Sequence, residues 1–350
     1  MKFRSIDVLT VAVLLAAIVC GSAFMVAQAQ QRRGGPTTAP FGQEEVPHLL
    51  ALGNRGVQAH DPSTIVKDKD EYWVFRTGRG TPSYRSKDLI NWQPGPATFN
   101  EPAPWVAQAV PANRGGRDYW APDVMKVGDR FLLYYSISTF GSRNSVIALA
   151  TNPTLDPDDP KYKWTDGGLV VQTSDAGDFN AIDPGIVYDP QDGLWLSFGS
   201  FWSGIKLIQL DPATGKRITP DSPMYSLAHF SSIEASYIYK HDGYYYLFVN
   251  WGRCCRGNQS TYEIRVGRSQ KITGPYLDKD GKDMLQDGGT QLLASDRAFI
   301  GPGHAGILKE GDKYWLSMHF YNGTTNRGTS MLAIRPLSWG QDGWPQVESP

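Results

Sequence analysis

Four carboxylates and one histidine recur along the chain: Asp61, Asp123, Asp183, Glu234 and His304, separated by 62, 60, 51 and 70 residues. Each sits in a short head segment: His60-Asp61-Pro62, Ala121-Pro122-Asp123, Ile182-Asp183-Pro184, Ile233-Glu234-Ala235 and Gly303-His304-Ala305. Cleavage of a glycosidic bond needs this equipment: a carboxylic acid to protonate the leaving oxygen and a carboxylate on the opposite side of the sugar. The acid needs a raised pKa, and a third carboxylate nearby can supply it. Carboxylates converging on one cavity repel one another and are costly to bury unless paired or partly protonated. Such convergence is expected mainly at functional sites. Taken singly, Asp61-Pro62 and Asp183-Pro184 read as Asp-Pro turns; at equivalent repeat positions, the functional reading is favoured. Glu234 is the sharpest signal, because a turn role for Glu just ahead of a strand is weak. Asp123 is the weakest, because its repeat aligns less well and its Pro-Asp order is reversed.

The elements that must position these groups are strands. After each head comes an apolar strand, a charged turn and an aromatic strand. The turns are Lys69-Asp70-Glu71, Gly128-Asp129-Arg130, Gln191-Asp192-Gly193, His241-Asp242-Gly243 and Gly311-Asp312-Lys313. The aromatic strands include Tyr72-Trp73-Val74-Phe75, Phe131-Leu132-Leu133-Tyr134-Tyr135 and Tyr244-Tyr245-Tyr246-Leu247-Phe248. Asp-Gly and its relatives tolerate the positive φ of tight hairpins, and aromatic and β-branched residues fill a pleated face. No long amphipathic helix pattern interrupts the series. A repeat of this length holds one four-stranded sheet, and five such sheets arranged radially predict an all-β, five-bladed β-propeller. A β-helix repeat would be far shorter, and a sandwich would not repeat one motif five times. In a propeller the inner strands converge on the axis, so the heads face a shared funnel.

Composition narrows the function. The 350 residues carry a formal net charge of −1 and no long run of one sign, which argues against nucleic-acid binding. The N-terminus reads as a secretory signal peptide over residues 1–29, with Lys2 and Arg4, an apolar run from Val11 to Cys20, and Ala27-Gln28-Ala29 for cleavage. Gly21-Ser22 and Gln28 break the run before it reaches the length of a membrane span. A secreted protein, extracellular or periplasmic and without stable membrane insertion, is therefore expected, and a monomer. Residues 30–45 are polar and Gly/Pro-rich and read as a flexible lead-in, with the propeller over 46–350. After cleavage only Cys254 and Cys255 remain. Adjacent cysteines rarely bond without backbone distortion, so no disulfide is expected. Trp105, Trp120, Phe140, Phe201 and Trp202 lie in loops or at strand ends, where they could stack on sugar rings or pack in the core.

Several segments together resemble the endo-acting arabinanases of glycoside hydrolase family 43, which are five-bladed propellers. They are His60-Asp61-Pro62-Ser63, Tyr119-Trp120-Ala121-Pro122-Asp123, Ala181-Ile182-Asp183-Pro184, Phe198-Gly199-Ser200-Phe201-Trp202, Ser232-Ile233-Glu234-Ala235, Cys254-Cys255-Arg256-Gly257 with Ser260-Thr261-Tyr262, and Gly301-Pro302-Gly303-His304-Ala305-Gly306. They span about residues 46 to 344, and their order and spacing carry the likeness. The resemblance implies an inverting hydrolase of arabinan or arabino-oligosaccharides. In it Asp61 is the general base, Glu234 the general acid, and Asp183 the group that raises the acid's pKa and orients it. It also implies a calcium ion on the axis, held by His304 largely through waters; from the residues alone, His304 reads equally as a satisfied polar group. Trp120, Phe140, Asn180, Ser200 and Trp202 make up the expected substrate-binding set. Cys254-Cys255 resembles a loop at the active-site rim.

Rival readings differ in the loops or in single residues. Exo-acting arabinofuranosidases and β-xylosidases share the fold and differ in the loops around the funnel. In fructan-cleaving propellers the acid is typically followed by Cys and the middle Asp preceded by Arg, whereas here Ala235 and Ile182 stand at those places. A non-catalytic sugar-binding propeller would keep the aromatics and lose a carboxylate. The WD and Kelch signatures of protein-interaction propellers are absent.

Overall fold

In the computed structural model, residues 39–347 are described. The signal peptide expected over 1–29 lies outside them. The strands form five antiparallel sheets in a ring. Blade I is Val66–Asp68, Glu71–Phe75, Ser83–Ser86 and Gln93–Gly95; blade II is Asp118–Val127, Arg130–Ile137, Ser145–Asn152 and Thr165–Thr173. Blade III is Gly185–Asp189, Gly193–Phe198 and Ile205–Asp211, with Lys216–Arg217 and Met224–Ala228 at its edge. Blade IV is Ile233–His241, Tyr244–Trp251, Glu263–Ser269 and Thr290–Leu293. Blade V is Phe299–Glu310, Lys313–Asn322 and Thr329–Trp339, completed by Pro345–Val347 and by the N-terminal strand Asn54–Gln58, both paired with Thr329–Trp339. The start of the chain thus closes the ring against its end.

Strand alternation glues the blades together. Successive side chains point to opposite faces, so each second strand feeds two different cores. Trp73 and Phe75 pack with Phe131, Leu133 and Tyr135 between blades I and II. Tyr72 and Val74 pack with Leu332 and Ile334 between blades I and V. Leu132 and Tyr134 meet Leu194, Leu196 and Phe198 between blades II and III. Trp195 meets Tyr245, Leu247 and Val249 between III and IV, and Tyr246 and Phe248 meet Leu316, Met318 and Phe320 between IV and V. Five sheet-to-sheet cores closed in a circle leave the inner strand ends, and the heads on them, facing the axis.

Two sequence expectations are corrected. Residues 39–45 of the lead-in expected to be flexible are docked on the propeller. Gln43–Glu45 form a 3-10 turn, the Phe41 N–H donates to the Gly323 carbonyl at 3.2 Å, and the buried Glu45 carboxylate pairs with Arg297. Apolar Phe41 packs on the blade V core, which outweighs the turn-rich composition around it. Cys254 and Cys255, expected to stay unbonded, are joined as a disulfide. The backbone distortion that adjacent bonding requires is present: Cys255 has φ +64°.

Candidate active site

Each inner strand is kinked at its head by a residue in the left-handed region. These are Asp61 (φ 47°), Ala121 (44°), Asp183 (58°), Ala235 (54°) and His304 (64°), one per blade. An L residue is strained there and stays only where its surroundings hold it. The ladders between the first two strands of blades II, IV and V slip at the same places, between Trp120 and Asp123, between Glu234 and Tyr237, and between Gly303 and Gly306. Such irregularities re-aim side chains. The kinks set the true register of the heads: Asp61, Ala121, Asp183, Ala235 and His304 correspond. Glu234 therefore stands one residue before its kink and Asp123 two after.

That offset separates Asp123 from the site. One carboxylate oxygen accepts the Thr64 N–H of blade I and the other the Ile186 N–H of blade III, each at 2.9 Å. Asp123 is a buried strap across three blades, and burial raises its pKa against the pull of those two N–H groups. Of the four head carboxylates, it is the one held mainly by backbone N–H groups, with the Thr64 side chain beside them.

The other three converge. Asp61 is fixed on all sides: Oδ2 lies 2.7 Å from His60 Nδ1 and accepts the Thr77 hydroxyl at 2.7 Å, Oδ1 lies 3.5 Å from His304 Nδ1, and its own N–H donates to His319 Nδ1 at 3.1 Å. Burial works to raise its pKa, but the charges and hydrogen bonds of His60 and His304 outweigh burial and hold the carboxyl well below the usual range. Its side chain keeps 14% of its surface open, enough to meet a water. Glu234 has the opposite fate. Ser200 donates to Oε2 at 2.7 Å and the Tyr262 hydroxyl donates to Oε1. Burial, then the negative charge of Asp183, pushes its pKa up to about 8. Asp183 lies between the two roles, with burial and Asp61 raising it to about 6 against the pull of His304 and of the Ala235 N–H, which donates to Oδ2 at 3.1 Å. That last bond ties Asp183 to the residue after Glu234. His304 is raised to about 8: burial opposes its charge, and Asp61, Asp183 and Asp123 favour it. Near neutral pH the funnel therefore holds Asp61 ionised, Asp183 mostly ionised and Glu234 protonated, which includes the pairing an acid and a base require.

Of the substrate-binding candidates, Phe140 and Trp202 are large apolar side chains left 64% and 42% exposed. Phe140 leans on half-buried Trp120, ring centroids 5.0 Å apart, and Arg143 covers one side of Trp202 at 5.3 Å. Ser200 is at the site but bonds Glu234. Asn180 is buried, its carbonyl accepting the Ser145 hydroxyl at 2.7 Å. Trp105 is engaged elsewhere, donating to Asp166 at 2.8 Å.

Sequence reasoning did not single out Thr77, Tyr262, His319 or Tyr321. Ser317, His319 and Tyr321 alternate with Met318 and Phe320 on Lys313–Asn322, and polar groups at period two between apolar ones are a usable signal for a funnel-facing edge. His319 is fully buried and held neutral, burial and the neighbouring His60 lowering its pKa. Thr77 left no signal. Tyr262 can approach Glu234 because Gly303 faces it: a Cβ there would run into the Tyr262 ring.

Among the described residues, two groups are close enough to share one ion: His60 with Cys254 and Cys255, and His60 with Asp61 and His319. Neither contains His304. Its Nδ1 faces Asp61, so the imidazole could give an ion one nitrogen. In a funnel of carboxylates this suits a hard cation whose remaining ligands are waters, and does not make a protein cage.

Residues 56–345 match the family described as glycosyl hydrolases family 43. The chain is 38% identical over 313 residues, covering 85% of it and 89% of the relative, to an extracellular exo-α-(1→5)-L-arabinofuranosidase of Cellvibrio japonicus. It is 40% identical to an extracellular endo-α-(1→5)-L-arabinanase of Bacillus subtilis, covering 82% of this chain and 86% of that one. An α-L-arabinanase of Cellvibrio cellulosa, solved in complex with arabinohexaose, superposes with a TM-score of 0.79 at 37% identity, covering 83% of this chain and 96% of that one. A propeller of five blades, a protonated and an ionised carboxyl in its funnel, and a match over nearly all the described residues lead to one conclusion: this chain belongs to glycosyl hydrolase family 43.

Proposed function

We propose that the protein is a secreted endo-acting hydrolase that cuts the α-1,5-linked L-arabinan backbone with inversion, through Asp61, Asp183 and Glu234. The observation that carries this reading is the split protonation of the funnel, with Asp61 held ionised and Glu234 held protonated. The arabinan-cleaving relatives support the substrate, and their extracellular names support secretion. Among the described residues no helix is long and apolar enough to cross a membrane.

Asp61 accepts a proton from a water as that water attacks the anomeric carbon from one face. Glu234 delivers its proton to the leaving oxygen on the other. Inversion needs the two carboxyls about 6.5–9.5 Å apart, so that the water fits between base and sugar. Asp183 keeps the acid protonated by its charge and holds the backbone beside it through Ala235. Ser200 and Tyr262 fix the rotamer of Glu234. Phe140 and Trp202 offer apolar faces to sugar rings along the chain of the substrate. A calcium ion at His304 would be held mainly by waters and would add positive charge beside Asp61 and Asp183.

The product profile on linear arabinan tests the reading. Mixed oligosaccharides are expected early, with monomer appearing late. Release of monomer alone would favour the second reading, exo action, which the Cellvibrio japonicus relative supports. Linear and branched arabinan and xylan are run side by side, and an absence of products from all of them would remove the hydrolase assignment for these substrates. Calcium is tested separately. Prolonged chelation is expected to lower both activity and melting temperature, with recovery on adding calcium back; unchanged values for both would remove the ion.

A further inference from the structure

The loop carrying Cys254 and Cys255 ends on the residues that hold Asp61. The pair forms a disulfide, with Cys254 half-buried and Cys255 exposed. Two contacts run inward from Cys255. Its N–H donates to Tyr321 Oη at 2.7 Å, and its Sγ lies 3.8 Å from His60 Nε2. Tyr321 Oη lies 2.8 Å from the same Nε2. An ionised carboxylate can only accept, so His60 donates through Nδ1 to Asp61 Oδ2, 2.7 Å away. A continuous chain of hydrogen bonds thus runs from the rim loop through Tyr321 and His60 to the carboxylate.

The loop is pinned on both sides of the disulfide. Arg253 donates to the Thr261 hydroxyl at 3.1 Å and accepts the Thr261 N–H at 3.0 Å. Gly257 packs so closely that a Cβ would run into the Arg327 carbonyl oxygen. Between these points Cys255 sits at φ +64°, a conformation an L residue leaves unless its surroundings hold it. The bond to its neighbour closes a small ring around that peptide and removes the conformers through which the Cys255 N–H would turn away from Tyr321.

We propose that the Cys254–Cys255 disulfide is a thiol–disulfide modification site that positions the base: closed, it holds Asp61 through Cys255, Tyr321 and His60; opened by a small dithiol, it lets that chain relax. The proposal rests on Asp61 being the base. Opening is a two-electron exchange. A thiolate of the dithiol attacks the exposed Sγ of Cys255, and its second thiol attacks the mixed disulfide. The reagent leaves as a cyclic disulfide, and Cys254 and Cys255 end as thiols carrying the two protons. Both cysteines and Tyr321 are positioning residues, since they act through His60.

The test is turnover of a linear arabino-oligosaccharide by the purified full chain before and after dithiothreitol, with released thiols counted and circular dichroism recorded. Reduction is expected to lower kcat about tenfold, equivalent to ~1.4 kcal/mol, with KM unchanged and recovery on reoxidation. The double variant Cys254→Ser/Cys255→Ser should start at the lowered kcat and ignore the dithiol. Adding Tyr321→Phe to it should cost nothing further, because both changes break one chain of contacts. If the double variant does not fold, reduction of the unaltered chain decides alone. Complete thiol release with kcat unchanged overturns the proposal. So does an effect confined to KM, which would make the disulfide a wall of the sugar site. Asp61→Asn separates the two levels: retained turnover in that variant defeats the base assignment itself, whereas an inactive Asp61→Asn beside a chain indifferent to reduction defeats only the positioning role.

Discussion

Glu234→Gln is expected to lose turnover by about 10²–10⁴-fold on arabinan, the range general acid catalysis supplies, while folding as the parent does. The amide keeps the shape: its carbonyl oxygen accepts from one of the Ser200 and Tyr262 hydroxyls and its NH2 donates to the other, whose hydroxyl turns to accept, but it has no acidic proton to give. The loss should shrink for an aryl arabinoside whose leaving group departs without protonation, and it should remain for arabinan. The pH profile gives a second check. Glu234 must be protonated to act, so activity of the parent falls as pH rises through about 8, and that limb should be missing from the residual activity of the variant. Stability falls with rising pH as well, but over a lower range than activity. The carboxyl has its proton up to about 8 when folded and loses it near 4.5 when unfolded. The unfolded state therefore binds fewer protons between those values, and stability falls as pH rises across them. Removing the group lifts that penalty, so Glu234→Gln should melt no lower than the parent at pH 7. Near-normal turnover of arabinan in the variant would remove Glu234 as the acid.

Asp61→Asn should cost turnover on a similar scale, with a different signature. Here the base is lost, so a good leaving group gives no relief. In Asp61→Ala a small anionic nucleophile such as azide, which needs no deprotonation, should restore cleavage and yield a glycosyl azide; it should do nothing for Glu234→Gln. Stability again has a definite sign. The folded pKa of Asp61 is depressed by His60 and His304, so its contribution is present above the unfolded value of about 3.8 and is lost as pH falls through the folded one. At pH 7 Asp61→Asn forfeits that contribution, leaves His304 facing an amide, and should melt below the parent. One carboxamide substitution that destabilises and another that does not, in the same funnel, would be hard to obtain if the two carboxyls had equal protonation states.

The relation between these residues was only partly legible in the chain. Local chemistry determined the repeat: charged turns before aromatic strands, five times, because a hairpin's φ preferences and a strand's alternation are written within a dozen residues. The same locality put carboxylates in four of the heads and so pointed to Asp61, Asp183 and Glu234. Tertiary structure decided what locality could not. Asp123 reads as a fourth funnel carboxylate until the kinked strands show it two residues off register, holding Thr64 and Ile186. The disulfide reads as improbable from adjacent cysteines until the backbone at Cys255 is seen at positive φ. His60 and Tyr321 lie 261 residues apart in sequence and 2.8 Å apart in space, because the N-terminal strand closes the ring against the last blade. The protonation states followed from that closure as well. The sequence determined which groups could titrate, whereas burial and the charges brought beside them by the ring determined that Asp61 would give up its proton and Glu234 would keep one.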